Sequence, residues 1–323
     1  MSDTQISDTQ LIVDSAQRIF TDLCAYETVQ GAEDGHWPTE LHTALLESGL
    51  LQLGLAQTGT TLADLMEFLR VGAGHAAPLP LLEWGLAQHA LGKEAPATGL
   101  VLVSEQASAQ LVWPEQMTHC IVLDAQKGLA ALAPMQTLTQ HDCRVISGEP
   151  CVQLTGCAEL DFSLSAPDLY ALGALGRCAQ MCGALERILE ITLGYASERE
   201  QFGRSISKFQ AIQHQLAVMA AEVAAARRAT DAAIHSCAEG VVVTDVAVAK
   251  VRVGQAAGIC AEIAHQVHGA MGFTMEYRLH HFTRRLWAWR DDYGTEDEWA
   301  EQIGDAVCAL GSDELWSFVA DHG

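Results

Sequence analysis

From about residue 168 to 310 the sequence keeps a helical period with few interruptions, and no other feature narrows the possible folds as far. The pattern predicts one long helix over 168–199, a second over 207–238 and a third over 243–268. Shorter helices are predicted over 276–289 and 295–310. Alanine is dense in this region ("MAAEVAAARRATDAA"), so neighbouring helices can approach closely, and four or five antiparallel helices imply a bundle. Residues 10–95 also read as helical, with Gly49, Gly74 and the Pro78/Pro80 pair as breaks. Between them the period changes: "GLVLVSE", "HCIVLDA", "LAALAP", "CRVISG" and "CVQLTG" are short apolar or β-branched runs between turn residues. They predict five to seven strands in an order the sequence does not reveal. The class is therefore α+β and mostly α. It comprises an N-terminal helical domain (1–95), a small β-domain (96–165) and a C-terminal four-helix-type bundle (166–323).

A chain of 323 residues can bury a real core, and its 49% hydrophobic content excludes disorder. Eighteen Lys and Arg against 41 Asp and Glu give a formal charge of -23, which argues against nucleic acid and anionic membranes as partners. One or two local cations and a helix end can still hold a phosphorylated cofactor. No run reaches the length of a membrane span and no secretory signal is visible, so a cytoplasmic location is expected. "SDTQ" occurs twice in the first ten residues, a stretch expected to be a loose end. The ten cysteines contain no CxxC pair and read as small buried hydrophobes.

No GxGxxG after a strand, GxxxxGK[ST], HExxH or GxSxG is present. Glu262 and His265 have the Glu-x-x-His spacing of di-iron bundles, but it does not recur, and His280-His281 read as surface or capping histidines. No metal is expected. Three polar stretches within the bundle remain. "EREQFGRSISKFQ" (198–210) sets two arginines, two glutamines, two phenylalanines and a glycine at a helix junction suited to an anion. "QVHGAMGFTMEY" (266–277) is a glycine-rich turn, and "RDDYGTEDEW" (290–299) is an acidic one.

In this order and spacing the three stretches resemble the acyl-CoA dehydrogenase family. Its Arg-x-x-Phe-Gly followed by Phe-Gln corresponds to Arg199–Gly203 and Phe209-Gln210. Its Gln-x-x-Gly-Gly-x-Gly-Phe corresponds to Gln266, Gly269, Gly272 and Phe273, with Ala270 in place of the second glycine. "HWPTELHTALLESGLLQLGL" and "HAAPLPLLE" are similar to the family's N-terminal helical domain. The resemblance implies FAD as cofactor and an acyl-CoA thioester as substrate. A carboxylate removes a proton from Cα, and a hydride passes from Cβ to the flavin. It further implies that Arg199, Gln201, Phe202, Gln210, Gln266 and Gly269 bind FAD, across a subunit interface.

The chain also departs from the family pattern. Where a glutamate base is usual in Tyr-Glu-Gly-Thr, this sequence has Tyr293 before Gly294-Thr295, and a phenol of pKa about 10 is a poor α-proton base. Some members carry the base on the first bundle helix instead; that spacing lands at Gly173-Ala174. Asp291, Asp292, Glu296, Asp297, Glu186 and Glu190 are the carboxylates left to consider, so the catalytic residue is left unassigned. The flavin-facing Thr-Glu-Pro segment and a Pro-Glu-x-Tyr-Gly-Gly loop are missing. The resemblance is thus to the short subunit of the α2β2 heterotetramers of bacterial sterol side-chain degradation. That implies a longer acyl-CoA dehydrogenase-like partner carrying the base, and an electron-transferring flavoprotein as acceptor. A homo-oligomeric dehydrogenase with a relocated base, and a non-redox acyl-CoA-binding or scaffold subunit, stay open as alternatives.

Overall fold

The computed structural model describes residues 8–94, 98–102, 108–124, 126–157, 160–166, 168–310 and 313–322; the "SDTQ" repeat and part of "GLVLVSE" lie outside them. Among the described residues five α-helices come first: α1 (Asp8–Leu23), α2 (Tyr26–Glu33), α3 (Thr39–Glu47), α4 (Leu62–Gly74) and α5 (Leu81–Leu91). Helix α4 starts at a capping box. The Thr61 hydroxyl accepts from the Asp64 amide, the Asp64 carboxylate accepts from the Thr61 amide, and Thr9 of α1 donates to the same carboxylate at 2.7 Å.

Among the described residues seven strands follow: β1 (Thr98–Leu102), β2 (Ser108–Val112), β3 (His119–Asp124), β4 (Leu129–Pro134), β5 (Thr139–Arg144), β6 (Pro150–Thr155) and β7 (Leu164–Ser165). They form two sheets, in the orders β1-β3-β4-β7 and β2-β6-β5. Strand β3 is the buried centre of the first sheet, parallel to β1 and antiparallel to β4. The predicted run "CRVISG" is not a strand. It ends β5 and then turns, with the Gly148 amide on the Val145 carbonyl and Gly148 at φ +85°.

The remainder is helical. Helix α6 (Leu169–Glu198) leads into the two-residue strands β8 (Glu200–Gln201) and β9 (Arg204–Ser205). Then come α7 (Gln210–Ser236), α8 (Val243–His268), α9 (Leu279–Asp291), α10 (Glu296–Leu310) and α11 (Leu315–His322). Helix α6 is the axis of the molecule, packing against α4, α7, α8 and α9, and its residues 171–185 are buried all round. Its glycines serve contact: a Cβ on Gly183 would fall 1.9 Å from the Arg70 carbonyl oxygen of α4. Close helix packing therefore accounts for "LGALGRCAQMCGAL". Lys250, fully buried on α8, donates to the carbonyls of Trp289, Arg290 and Asp292 at 2.9, 2.9 and 2.8 Å. It thereby satisfies the C-terminal end of α9 and fixes the chain up to Tyr293.

Candidate functional site

The end of α6 and the end of α8 form the walls of an open cleft of about 420 Å³. On the first wall the chain leaves α6 at Arg199 and reverses through β8 and β9, with Phe202 (φ +55°) and Gly203 (φ +79°) at the tip. Two left-handed residues in succession make the tight hairpin turn, and glycine takes the second place without strain. The Ile206 amide bonds the Arg199 carbonyl at 2.8 Å and the Ser205 hydroxyl bonds the Ala196 carbonyl at 2.8 Å, folding the hairpin back on its helix. Arg204 lies over the Phe209 ring at 4.3 Å. Arg199 is exposed and makes no ion pair among the described residues.

The second wall is aromatic. His268 stacks on Tyr195 at 4.3 Å, and its Nδ1–H donates to the Ala264 carbonyl at 2.7 Å. Nε2 is then the acceptor, facing the Tyr277 hydroxyl at 3.4 Å. Burial holds the His268 pKa below its usual value, so the ring is neutral at neutral pH. Gly269 ends α8 at φ +58°.

Of the six residues expected to bind a cofactor, Arg199, Gln201, Phe202 and Gly269 line this cleft. Gln210 and Gln266 are exposed and lie one residue beyond lining positions, Phe209 and Val267. Sequence reading missed Tyr195, Ile206, Ile212 and His268. Tyr195 was within reach of it, since it precedes Arg199 by one helical turn.

The two places where a base could be expected converge elsewhere, and they are closed. Tyr293 is 5% exposed, and its ring lies on Gly173: a Cβ there would come within 2.2 Å of Cε1. Arg177 is buried beneath them. Its Nη2 donates to Glu83 at 2.6 Å, Nε to Asp292 at 2.8 Å and Nη1 to Gln180 at 2.6 Å, and its guanidinium lies 5.6 Å from the Trp289 ring centroid. The space left beside Glu83, Arg177 and Trp289 is about 10 Å³, room for one water at most. Burial and the nearby Glu83 drive the Tyr293 phenol far above its usual pKa, the reverse of what a base needs. Burial raises Glu83 as well, against the pull of Arg177, while Glu83 and Asp292 keep Arg177 charged in spite of its burial. Three of the other candidates are engaged too. Glu296 accepts from Arg290 at 2.6 Å, Glu186 from Arg227 at 2.9 Å, and Glu190 pairs with Arg187.

His280 and His281 are 6% and 2% exposed, which corrects their reading as surface or capping residues. They face α2, where Glu33 accepts from His281 at 3.0 Å, Arg285 at 2.9 Å and Arg284 at 3.2 Å. Burial raises the Glu33 pKa, but the His281 bond and the Arg285 and Arg284 charges outweigh it and the net shift is downward. Glu33, His280 and His281 could in principle offer a metal three ligand atoms within 4.8 Å of one another. The two guanidiniums already neutralise the carboxylate, so a divalent cation there would meet positive charge.

The family model for the acyl-CoA dehydrogenase C-terminal domain matches residues 170–307, the bundle that carries both cleft walls and, of the closed pocket, Gly173, Arg177 and Tyr293. The acyl-CoA dehydrogenase IpdE2 of Mycolicibacterium smegmatis is 28% identical over 235 residues, 70% of this chain and 73% of that protein. The protein of the same name from Mycobacterium tuberculosis is 34% identical over 119 residues, a match spanning 37% of this chain and only 36% of that relative. Among solved structures, the ChsE4-ChsE5 complex of Mycobacterium tuberculosis has a TM-score of 0.82 at 19% identity, covering 97% of this chain and 100% of that one. A variant of the Tcur3481-Tcur3483 steroid ACAD also scores 0.82, at 21% identity over 94% and 98%. The acyl-CoA dehydrogenase C-terminal domain model thus matches the bundle, and the chain shares its fold with these solved structures along nearly its whole length.

Proposed function

We propose that this chain is the short subunit of an α2β2 acyl-CoA dehydrogenase, contributing half of an FAD site to a longer partner that carries the base. One contrast carries the reading. The chain's own base position is sealed by Tyr293 on Gly173 over Arg177, whereas the cleft at Arg199 is open. The cleft residues suit FAD. Arg199 offers an uncommitted cation for the pyrophosphate, Gln201 and the exposed hairpin amides offer donors, and His268 on Tyr195 offers a flat wall. Gln210, Gln266 and Gly269 would complete the contacts at the start of α7 and the end of α8. When bound, FAD supplies the redox chemistry of α,β-dehydrogenation, and this chain orients it and excludes water. An acyl-CoA thioester is the substrate and an electron-transferring flavoprotein the acceptor. The likeness to a steroid ACAD favours a polycyclic, steroid-derived acyl group.

The test is co-expression with a longer acyl-CoA dehydrogenase-like chain from the same genome. The complex should hold FAD and be bleached by an acyl-CoA, while this chain alone should be colourless. Arg199→Ala should weaken flavin binding roughly 10- to 100-fold, the value of one charge-assisted contact of about 1.5–3 kcal/mol. A yellow, active chain without any partner would sink the proposal and favour a homo-oligomeric enzyme. A stable complex without FAD would favour the scaffold reading.

A further inference from the structure

Cys143 and Cys151 face each other directly on the antiparallel strands β5 and β6, as register partners one pair in from the Arg144–Pro150 end of the hairpin. Residues so opposed have Cα atoms about 4.5–5.5 Å apart, inside the roughly 4.4–6.8 Å that a disulfide spans. Their exposures differ usefully. Cys143 is half-buried on β5, the edge strand of its sheet, whereas Cys151 is 7% exposed on the central strand β6. Other neighbouring thiols lack that combination. Cys120 and Cys157 lie near each other but are both sealed at 0% exposure, and Cys178 and Cys182 are both buried on α6. The β5–β6 hairpin is also the strap that ties the sheets to the bundle. At its tip Arg284 Nε of α9 donates to the Ile146 carbonyl at 3.0 Å, and Arg285 lies 3.8 Å from Glu149. Gly148 is pressed against Arg284 so closely that a Cβ would fall 1.8 Å from Nη2.

We infer that Cys143 and Cys151 form a peroxide-responsive dithiol that closes to a disulfide across the base of this strap. The Cys143 sulfur, as thiolate, attacks a peroxide oxygen. The O–O bond breaks, water leaves after protonation, and Cys143 becomes a sulfenic acid. The Cys151 sulfur then attacks the Cys143 sulfur. The S–S bond forms, the S–O bond breaks, and hydroxide departs as water with the Cys151 proton. Two thiols are oxidised and one hydrogen peroxide is reduced to two waters.

The sequence makes the test direct. Trypsin cleaves after Lys127, Arg144 and Arg177, placing Cys143 and Cys151 in different peptides. The folded full-length chain is treated with stoichiometric hydrogen peroxide and mapped without reduction. The expected result is a mass lowered by two hydrogens, restored by dithiothreitol, and a covalent link between peptides 128–144 and 145–177. Cys157 shares the second peptide, so C157S should keep the link while C143S and C151S each abolish it. Cys143 accumulating as sulfinic acid with Cys151 still a free thiol would overturn the inference, and so would a link that survives in C151S.

Discussion

Gly173→Ala should change the sign of its effect according to what stands at position 293. In an ordinary helix interior, replacing glycine by alanine gains about 1 kcal/mol by relieving backbone entropy. At Gly173 the added Cβ would lie 2.2, 2.3 and 2.7 Å from Cε1, Cδ1 and Cζ of Tyr293, where ordinary carbon contacts sit near 3.5–4 Å. The ring would have to retreat by more than an ångström, and it has nowhere to go. Tyr293 is buried, its carbonyl accepts from Trp299 Nε1 at 2.8 Å, and Lys250 holds the carbonyl of the preceding residue. Overpacking of this kind costs about 3 kcal/mol at the upper end, leaving a net loss of about 2 kcal/mol. In a Tyr293→Ala background, itself some 3–5 kcal/mol less stable, the clash is gone and Gly173→Ala should gain about 1 kcal/mol. The coupling between the positions is then about 3 kcal/mol, readable from urea midpoints of the four chains followed by tryptophan fluorescence. Equal effects of Gly173→Ala in both backgrounds would show that the ring does not occupy this place, and the argument for a sealed pocket would fall with it.

Arg177→Met should cost about 3–5 kcal/mol in urea unfolding, because Glu83 is left as an unpaired buried carboxylate, and Glu83→Met in the same chain should restore much of the loss. His75 is held at a pKa of about 4 by burial and then by the Arg187 and Arg278 charges, below the 6.5 of the unfolded chain. Its contribution is therefore complete above pH 6.5 and declines as the pH falls toward 4, by about 2–3 kcal/mol, and His75→Gln should flatten that part of a Tm-against-pH curve. Phe202→Gly should leave the isolated chain as stable or up to about 1 kcal/mol more so, since glycine suits φ +55°, while lowering flavin retention in the co-expressed complex; a loss of stability in the chain alone would contradict this.

The parts legible in the sequence are those whose signal is local. Helices α6, α7 and α8 were readable to within a few residues because a 3.6-residue period persists over 26 to 30 residues. Strand β5 was not. "TQHDCR" lies on a sheet edge with four exposed residues at its start, so it lacks the apolar signature of a half-buried strand. The burial of His280 and His281 was equally out of reach, because their partner Glu33 stands 248 residues from His281 in the chain. At the site, the Arg199–Gly203 motif announced the cleft, but the closure of the other pocket depends on α5, α6 and the turn after α9 meeting around Arg177. The sequence did single out both Tyr293 and Gly173, each as a position lacking a carboxylate. It could not disclose that they touch.

Phe202 and Tyr293 pose the same backbone problem and meet opposite fates. Both are bulky residues in the left-handed region, at φ +55° and +56°, a conformation that costs a non-glycine residue of order 1–3 kcal/mol. For Tyr293 the offset lies within the chain, in the burial of its ring on Gly173, the Trp299 bond to its carbonyl and the Lys250 anchor just before it. For Phe202 there is no comparable offset. Its ring is 93% exposed, and its aromatic neighbour Phe209 stands edge-on at 6.1 Å. A strained, uncovered aromatic beside an uncommitted arginine makes little sense as a feature of a solitary chain. It does make sense if a partner buries the ring as its flavin enters the cleft, because burying a phenylalanine side chain is worth about 1.5–3 kcal/mol, enough to offset such strain. The proposed interface thus accounts for a conformation that the isolated subunit leaves unexplained.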